Sequence, residues 1–469
     1  NADIADAVLR YWSATADEAF DREAGLELLV ETARLWRSLG HHDQEGRFRI
    51  DGVTGPDEYS AIADNNVYTN LMAERNLRAA ADAIERHPDR AAALGVDTEE
   101  TAAWRDAAKA MVLPYDEALG VHPQAEAFTQ HQRWDFARTR PDQYPLLLHF
   151  PYFDLYRKQV VKQADLVLAL HLRGDAFTSE QKARDFAYYE ALTVRDSSLS
   201  ACTQAVVASE VGHLELAYDY FGEAALMDLE DLERNVRNGL HMASLAGVWL
   251  AAVAGFGGMR DHDGALAFAP RLPEALTRLA FRLTYRGRLL SIEVNHRHAS
   301  YTLLEGAALD ITHHGERVTV TTAGPITRTV PPPPVLERPT QPLGRAPARR
   351  SIARIRPVVV PRTIESATTT TRLPASTSGS GLNFSRTDAS REVCPGWMKV
   401  RPTYRFLISP SRNGSPDSSA KPMAAGTAES GTGITRSASA GCSIASRRPI
   451  RSRSSSRSRP PTTLSGRAR

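Results

Sequence analysis

The sequence contains little cysteine and no long apolar run, and both absences exclude classes of protein. Its 469 residues include only three cysteines, Cys202, Cys394 and Cys442. Their odd number, wide spacing and lack of a C-x-x-C pair argue against a disulfide framework and a zinc site. No apolar stretch approaches the roughly 20 residues of a membrane-spanning helix, and the N-terminus lacks a basic-then-apolar signal pattern. We therefore expect a soluble cytoplasmic protein with no membrane partner.

Acidic residues are scarce in the last part of the chain. Residues 335–469 hold 24 Lys and Arg against 6 Asp and Glu, whereas the preceding residues hold 33 against 49. After Pro331–Pro334, residues of the types Ser, Thr, Arg, Pro and Gly prevail, and apolar periodicity ends. This composition predicts a disordered tail over residues 331–469. The abrupt change is also what a frameshifted or misjoined reading frame would produce. A nucleic-acid partner is not expected, because the basic tail lacks stacking motifs and a fold for specificity.

Apolar periodicity divides the first 330 residues into two parts. Apolar residues recur at helical spacing near residues 4–12, 26–36, 66–84, 101–112, 160–172, 203–208, 212–226 and 243–254. The last of these segments is rich in small residues and is predicted to be fully buried. From residue 265 the period changes to two, with a turn at Arg286-Gly287. The fold is therefore predicted to be mainly α, with a helical domain at 1–260 and a small antiparallel β-domain at 261–330.

A dense set of polar side chains lies between residues 53 and 70. Val53–Tyr59 reads Val-Thr-Gly-Pro-Asp-Glu-Tyr, and Asp64–Asn70 follows it closely. Pro56 predicts a loop entering the next helix. Asp57 and Glu58 are neighbours whose side chains point in different directions, which suits a general acid beside a carboxylate that binds hydroxyl groups. On this pattern alone, a helix N-terminus with acids matching its dipole is an open alternative.

Three later groups are candidates for anion or hydroxyl binding. They are Lys162-Gln163, Ser197-Ser198 and His241. An ammonium can hold phosphate without fixed geometry, and serines before a helix offer hydroxyl and N–H donors where the dipole is positive. A solvated face, ordinary serine capping and a packed histidine are the corresponding structural alternatives. The adjacent pair His41-His42 lacks further ligands, so no metal is expected.

Four segments of the chain, taken together, resemble glycoside hydrolase family 65, the maltose, trehalose and kojibiose phosphorylases and their hydrolytic relatives. The segments are Gly52–Tyr59 with Asn65–Asn70, Lys158–Asp165, Arg195–Ser200, and Asn238–Ser244. The resemblance covers roughly residues 1 to 330 and implies part of an (α/α)6 barrel followed by a C-terminal sheet.

The resemblance also implies roles for single residues. It makes Glu58 the general acid, places Lys162, Gln163, Asp57 and Tyr59 at the substrate, and places Ser197, Ser198 and His241 at phosphate. It implies no cofactor other than phosphate as co-substrate, and a homodimer for the full-length protein.

The expected function is inverting phosphorolysis of an α-glucosidic disaccharide such as trehalose, kojibiose or maltose, giving β-glucose 1-phosphate. Inverting hydrolysis is the main alternative, and it needs a second carboxylate that activates water. Asp196 and Glu190 lie near the appropriate loop. A non-catalytic helical-repeat protein is a further alternative, but the sequence shows no fixed repeat period.

The resemblance implies segments that this sequence does not contain. Members of the family carry an N-terminal β-sandwich, a linker and the earlier half of the barrel, including a Phe-Trp-Asp-Thr-Glu segment. The Phe-Trp-Asp-Thr-Glu segment does not occur in the sequence, so we expect the front part of the family's architecture to be incomplete in it. Half of a toroid is expected to expose apolar helix faces, so an inactive fragment is also an open alternative.

Overall fold

Helices precede strands in the computed structural model, which describes residues 1–334, 336–348 and 407–410. The α-helices are α1 (Ala2–Thr15), α2 (Glu18–Phe20), α3 (Leu26–Leu39), α4 (Val67–Arg86), α5 (Pro88–Ala93), α6 (Thr98–Lys109), α7 (Tyr152–Leu155), α8 (Asp165–Leu172), α9 (Ser179–Glu190), α10 (Ser200–Val211), α11 (Leu214–Leu226) and α12 (Met242–Leu250). Turns of π type occupy Asp21–Gly25 and Ala251–Phe256, and 3₁₀ turns occupy Phe128–Gln130, Pro141–Gln143, Leu146–Leu148, Gly174–Ala176, Val236–Asn238 and His262–Gly264.

The strands form two short pairs in the helical part, the first antiparallel and the second parallel, and two sheets after it. They are β1 (His41–His42), β2 (Phe48–Arg49), β3 (Gln132–Arg133), β4 (Lys158–Gln159), β5 (Met259–Arg260), β6 (Ala267–Phe268), β7 (Leu276–Tyr285), β8 (Arg288–Val294), β9 (His298–Glu305), β10 (Leu309–His313), β11 (Glu316–Val320), β12 (Ile326–Thr329) and β13 (Leu407–Pro410). The predicted mainly helical fold with a C-terminal sheet domain is confirmed.

Helix α4 is central to the helical part. It packs against α1, α3 and α6, and also against α8. Its contacts with α3 and α6 lie in an apolar core that includes Leu29, Leu77 and Trp104. A second core joins α8, α10 and α11 to the β-domain through residues such as Phe221 and Phe256. Both cores follow from the apolar periodicity of the sequence.

The loop that precedes α4 has the irregular conformation predicted from Pro56. Residues 50–66 contain no helix, and the loop is closed by paired hydrogen bonds between Val53 and Ala63. Helix α4 begins after Asn66, whose side chain accepts a 2.9 Å hydrogen bond from the N–H of Thr69. This cap satisfies a helix N–H that lacks an intrahelical partner.

Helix α8 begins at Asp165, five residues later than the predicted start at residue 160. The prediction was wrong for residues 160–164, where Val160 and Val161 are buried in extended backbone. Val161 exchanges backbone hydrogen bonds with Leu192 and Val194, a pairing from distant chain that competes with helical bonding. Lys162 and Gln163 therefore precede the helix.

The β-domain contains a four-stranded and a five-stranded sheet. Their strand orders are β11-β10-β6-β5 and β12-β9-β8-β7-β13. The predicted turn between β7 and β8 is confirmed: Arg286 and Gly287 have φ values of 47° and 72°, as a two-residue hairpin turn requires. The pairing is antiparallel except between β10 and β6, which are parallel. The N–H of Arg286 donates to the carbonyl of Ala14, linking the domain to α1.

Helix α12 is only partly buried, which corrects the prediction of full burial for residues 243–254. Met242 is 68% exposed and Leu245 is 37% exposed, whereas the following turn, Ala251–Phe256, is buried. With Leu229 and Leu240, which are also exposed, these side chains form an apolar patch around the start of α12. Exposed apolar area of this kind is unusual on an isolated domain surface.

Part of the predicted tail lies against the helical domain. Residues 336–348, which we call the C-terminal strap, run across α11 and α9 and reach the loop before α10. The rest of the predicted disordered tail, apart from residues 331–334 and β13, lies outside the described residues, and its disorder stays a prediction. In the described part of the chain, none of the helices has both the length and the apolar character needed to cross a membrane.

Candidate active site

Asp57 is a buried residue whose hydrogen bonds stabilise the loop of residues 50–66. Its side chain is fully buried: Oδ1 accepts the N–H groups of Tyr59 (3.1 Å) and Lys162 (2.9 Å), and Oδ2 accepts Nε2 of Gln124 (3.0 Å). Burial raises the pKa of the Asp57 carboxyl to about 6. The structure therefore places Asp57 where a substrate hydroxyl does not reach it, and gives it the role of joining two distant segments.

Asp165, the first residue of α8, lies directly behind Asp57. Its Oδ1 accepts the backbone N–H of Asp57, and its Oδ2 accepts Nδ2 of Asn66 at 2.8 Å. Burial, followed by the nearby Asp57 charge, raises the pKa of the Asp165 carboxyl well above its usual value. Gly55 is required here, because a Cβ at that position would lie 2.0 Å from Oδ2 of Asp165.

Glu58 points away from this support toward solvent. Its side chain is 57% exposed, and its Oε2 accepts a hydrogen bond from Nζ of Lys162. Asp57 thus holds the backbone of Lys162 while the ammonium of Lys162 contacts Glu58. The prediction that the two neighbouring carboxyl groups point in different directions is confirmed: Asp57 is buried, whereas the Glu58 side chain is 57% exposed.

Gln163 connects the loop of residues 50–66, which carries Glu58, to the turn that contains Ser197 and Ser198, which we call the serine turn. Its Nε2 donates to the carbonyl of Pro56 at 2.7 Å, and its Oε1 accepts the hydroxyl hydrogen of Ser197. Ser198 is half-buried and comes directly before the first turn of α10. The structure therefore brings Glu58, Lys162, Gln163 and the serine turn together at one surface.

Tyr59 is buried, like Asp57. Its hydroxyl donates to Oδ2 of Asp196 at 2.7 Å and accepts the N–H of Leu147 at 3.0 Å. The same oxygen of Asp196 accepts the N–H of Leu146 at 2.7 Å. Burial raises the pKa of the Asp196 carboxyl above its usual range. Tyr59 therefore anchors the loop from below and leaves no free hydroxyl for a sugar.

His241 is held by a carboxylate of its own. Its backbone N–H donates to Oδ2 of Asp228 at 2.9 Å, and its Nδ1 lies 2.6 Å from Oδ1. Because a carboxylate only accepts, Nδ1 carries the proton and Nε2 is left for another partner. The hydrogen bond from His241 lowers the pKa of Asp228.

Glu233 is a further acid in the segment before His241. Burial raises the pKa of its carboxyl, and the charges of Arg345, Asp196, Glu223 and His241 also act on it. The residue nevertheless keeps an exposed surface.

The surface that carries Glu58, Lys162, Gln163, Ser197 and Ser198 supplies one exposed carboxyl group, an ammonium, an amide and two hydroxyl groups. Such a set can donate a proton to a leaving oxygen and bind a polar anion. Among the residues that the structure describes, no cluster of three or more His, Cys, Asp or Glu side chains could hold a metal ion. The expectation that no cofactor is needed stays a prediction.

Three supporting residues were not singled out from the sequence. Asp165 stands at a helix start, where an acid is ordinarily explained by the helix dipole. Asp228 lies in an acidic run that gives no local signal of a histidine partner, and Arg345 lies in a segment predicted to be disordered. Each of the three binds a residue that is distant in the sequence, 13 to 149 positions away.

Comparison with known protein families decides the assignment. The model of the glycosyl hydrolase family 65 central catalytic domain matches residues 1–250, and the model of the family 65 C-terminal domain matches residues 259–320. The chain belongs to glycosyl hydrolase family 65. The first match includes every predicted site residue.

Curated relatives agree with this family assignment. An uncharacterized glycosyl hydrolase of Mycobacterium tuberculosis is 56% identical over 358 residues, which are 76% of this chain and 45% of the relative. The α,α-trehalose phosphorylase of Geobacillus stearothermophilus is 44% identical over 335 residues, 70% of this chain and 44% of that protein. The chain thus spans less than half the length of these relatives. A match over three quarters of this chain necessarily includes the C-terminal strap, so the shared sequence continues past residue 334.

A solved structure gives the same result for the fold. A protein from the human microbiome, provisionally named a kojibiose phosphorylase, superposes with a TM-score of 0.63 at 27% identity. The superposition covers 69% of this chain and 46% of the other. The family 65 fold therefore extends over both the helical part and the β-domain.

Proposed function

We propose that this chain carries the proton-donating and phosphate-binding part of an inverting family 65 phosphorylase that acts on an α-glucosidic disaccharide. Trehalose, kojibiose and maltose are the candidate substrates, since relatives of the chain include a trehalose, a kojibiose and a maltose phosphorylase. The products would be β-glucose 1-phosphate and a free sugar.

The observation that carries the proposal is the exposed Glu58 carboxyl beside Lys162 and the Gln163–Ser197 pair. Glu58 would protonate the glycosidic oxygen as the bond to the anomeric carbon breaks. A phosphate oxygen would attack that carbon from the opposite face, which inverts its configuration.

Phosphate would be held by the cationic and hydroxyl groups on the same surface. The Lys162 ammonium supplies charge, and Ser197 and Ser198 supply hydroxyl groups before the N-terminus of the 12-residue helix α10. Nε2 of His241 would donate a further hydrogen bond when the ring is protonated.

Burial of two other carboxyl groups supports phosphorolysis over hydrolysis. Glu190 is 1% exposed and is bound to Tyr220, Gln204 and Gln341. The Asp196 side chain is likewise 1% exposed, and both of its oxygens accept hydrogen bonds from protein groups. Neither carboxylate is placed to activate a water molecule.

The proposal is tested with the 469-residue chain, alone and joined to the N-terminal half of the Geobacillus relative. Each protein is incubated with trehalose, kojibiose and maltose, with and without phosphate, and glucose 1-phosphate and glucose are assayed. We expect phosphate-dependent glucose 1-phosphate that Glu58→Gln reduces on the order of 10²–10⁴-fold, the usual contribution of a general acid. Unchanged turnover in Glu58→Gln would reject Glu58 as the acid.

Hydrolysis is a second candidate because of Glu233. This carboxyl group has a raised pKa, and it is close enough to Asp196 and His241 for their charges to act on it. A base of raised pKa takes a proton from water more readily. Free glucose formed without phosphate, and lost in Glu233→Gln, would favour hydrolysis. Phosphate-dependent turnover that survives Glu233→Gln would favour phosphorolysis.

A further inference from the structure

The C-terminal strap makes directed polar contacts along its length with the helical domain. Before it begins, Pro334 lies against Gly212, at the end of α10. Within the strap, Arg338 contacts Asp219 of α11 at 3.1 Å, and Nε2 of Gln341 donates to Glu190 of α9 at 2.9 Å. The strap then reaches the predicted phosphate-binding turn. Three elements of the helical domain thus fix its course.

The conformation of the strap is restricted by its sequence. Pro339, Pro342 and Pro347 are buried, and proline loses little conformational freedom on folding. A turn brings the N–H of Arg345 to the carbonyl of Pro342 at 2.9 Å, with Gly344 at φ +74°. A positive φ at the third position of a turn is the type II pattern, which favours glycine. The turn places Arg345 at a fixed point.

Arg345 is bound on several sides by the segment that carries the serine turn. Its guanidinium donates to Oδ1 of Asp196 at 2.9 Å and to the carbonyl of Val194 at 2.6 Å. Its own carbonyl accepts a hydrogen bond from Arg195, and its guanidinium lies 4.5 Å above the ring centre of Tyr144. These contacts involve Asp196, the two residues that precede it and the ring of Tyr144.

Asp196 transmits this contact to the candidate site. One of its oxygens binds Arg345, and the other binds the hydroxyl of Tyr59 and the N–H of Leu146. Tyr59 follows the predicted acid directly, and Ser197 follows Asp196. Among the described hydrogen-bond partners of the buried Asp196 carboxylate, Arg345 is the charged one, although the Lys162 ammonium also acts on this carboxylate electrostatically. Loss of Arg345 would therefore remove the charged hydrogen bond from a buried carboxylate, which is costly.

We propose that Arg345 is a positioning residue of the candidate active site: by fixing Asp196, it orders the Ser197-Ser198 turn and the Tyr59 anchor beside Glu58. Nothing in the family comparison assigns this role, because the C-terminal domain match ends at residue 320. The effect on turnover rests on the proposed function, whereas the effect on loop order does not.

The test measures backbone hydrogen exchange in the full 469-residue chain, in peptides covering residues 143–148 and 194–200. Arg345→Ala is compared with Arg338→Ala, which removes an arginine from the same strap but contacts α11 instead. We expect Arg345→Ala to speed exchange of both peptides on the order of tenfold, since it removes a charged hydrogen bond from a buried carboxylate. Arg338→Ala is expected to leave both peptides at the wild-type rate.

A conservative variant and a fallback variant complete the exchange experiment. Arg345→Lys retains the charge but lacks the planar donor fork, so it should restore part of the protection. Arg345→Gln keeps most of the stem and replaces the alanine variant if that variant fails to fold. Wild-type exchange in a folded Arg345 variant would overturn the proposal, as would equal acceleration by Arg338→Ala.

Turnover gives a separate readout. In protein that shows phosphorolysis, Arg345→Ala should raise KM for phosphate on the order of tenfold and change KM for the disaccharide by less than about threefold. The reverse pattern would overturn the assignment to the serine turn. If wild-type protein has no activity, the proposed function fails, and the exchange rates still decide the role of Arg345.

Discussion

The backbone N–H of Lys162 donates a 2.9 Å hydrogen bond to Oδ1 of Asp57, across 105 residues of chain. Asp57, which lies next to the predicted acid Glu58, therefore binds the backbone of Lys162, and the ammonium of Lys162 contacts Glu58. One carboxyl group supports the loop while its neighbour faces solvent. Substitution of Asp57 should therefore affect stability differently from substitution of Glu58, and the same holds for activity.

Asp57→Ala should destabilise the protein far more than Glu58→Ala. The first change leaves the N–H groups of Tyr59 and Lys162 and the Gln124 amide without an acceptor in a buried site, which costs about 2–4 kcal/mol. The second removes an exposed group and should change the free energy of unfolding by less than about 1 kcal/mol. Urea unfolding measures both, and equal losses of stability would contradict the assigned roles.

The stability of the protein should rise as pH falls from about 7 to about 5. The folded-state pKa of Asp57, about 6, is above its unfolded value, so the folded protein binds the proton more tightly in this window. The contribution of this group is present at low pH and is lost as pH rises through about 6; its size is about 1–3 kcal/mol. Asp165, whose pKa is also raised, acts in the same direction.

Asp57→Asn is the matched variant for this pH experiment, because an amide cannot ionise. Oε1 of Gln124 has no hydrogen-bond partner among the described residues, so rotation of the Gln124 amide would let it accept from the new side chain. The variant should show a flatter dependence of unfolding free energy on pH than wild type. Parallel curves for the two proteins would exclude Asp57 as the titrating group.

Gly55→Ala should disrupt the contacts of Asp165 with the loop of residues 50–66, which carries Glu58. The added Cβ would meet Oδ2 of Asp165 at 2.0 Å, and that oxygen is held by Asn66. Overpacking of this kind costs about 1–3 kcal/mol. Gly25→Ala is the control, because Gly25 has helical backbone angles and an added Cβ there would lie 3.4 Å from its nearest neighbours, an ordinary contact distance. A thermal melt in which Gly25→Ala loses as much stability as Gly55→Ala would refute the steric explanation.

Asp228→Asn should weaken phosphate use through His241. The amide accepts the Nδ1–H of the ring less strongly than a carboxylate does, so the orientation of Nε2 becomes less fixed. If the proposed function holds, KM for phosphate should rise roughly tenfold to hundredfold. Asp231→Asn is the control from the same loop, where the carboxylate accepts the N–H of Val236. An equal effect of the two variants would indicate a general loosening of the loop.

The exposed patch around the start of α12 should bind apolar molecules. Leu240→Lys with Met242→Lys should lower the fluorescence of a dye that reports exposed apolar surface, because both side chains are largely exposed. Leu343→Lys, at an exposed position in the strap, is the matched control. Dye binding that is insensitive to the double variant would place the accessible apolar surface elsewhere.

The sequence correctly predicted those elements of the fold that are determined by neighbouring residues. The Arg286-Gly287 hairpin and the loop at Pro56 depend on residues within a few positions of each other. The start of α8 was misplaced because Val161 pairs with Leu192 and Val194, about 30 residues away. Asp57 and Tyr59 were predicted to contact the substrate. The sequence near them does not show that Asp57 binds Asp165 and Gln124, or that Tyr59 binds Asp196.

Composition alone was a poor guide to the strap. Pro and Arg in a polar segment ordinarily indicate disorder. In this chain, buried prolines and the pairing of Arg345 with Asp196 give residues 336–348 fixed contacts. The remaining site residues keep the roles that the family resemblance implies, as predictions.

The contacts of Asp196 determine when the site can be completed during synthesis. Its partners are Tyr59, Leu146 and Arg345, so the last of them is added about 150 residues after Asp196 itself. Closing loops of this length costs entropy that only the finished contacts offset, and non-local contacts form slowly. The nascent chain therefore carries an incomplete set of Asp196 contacts until Arg345 has been synthesised.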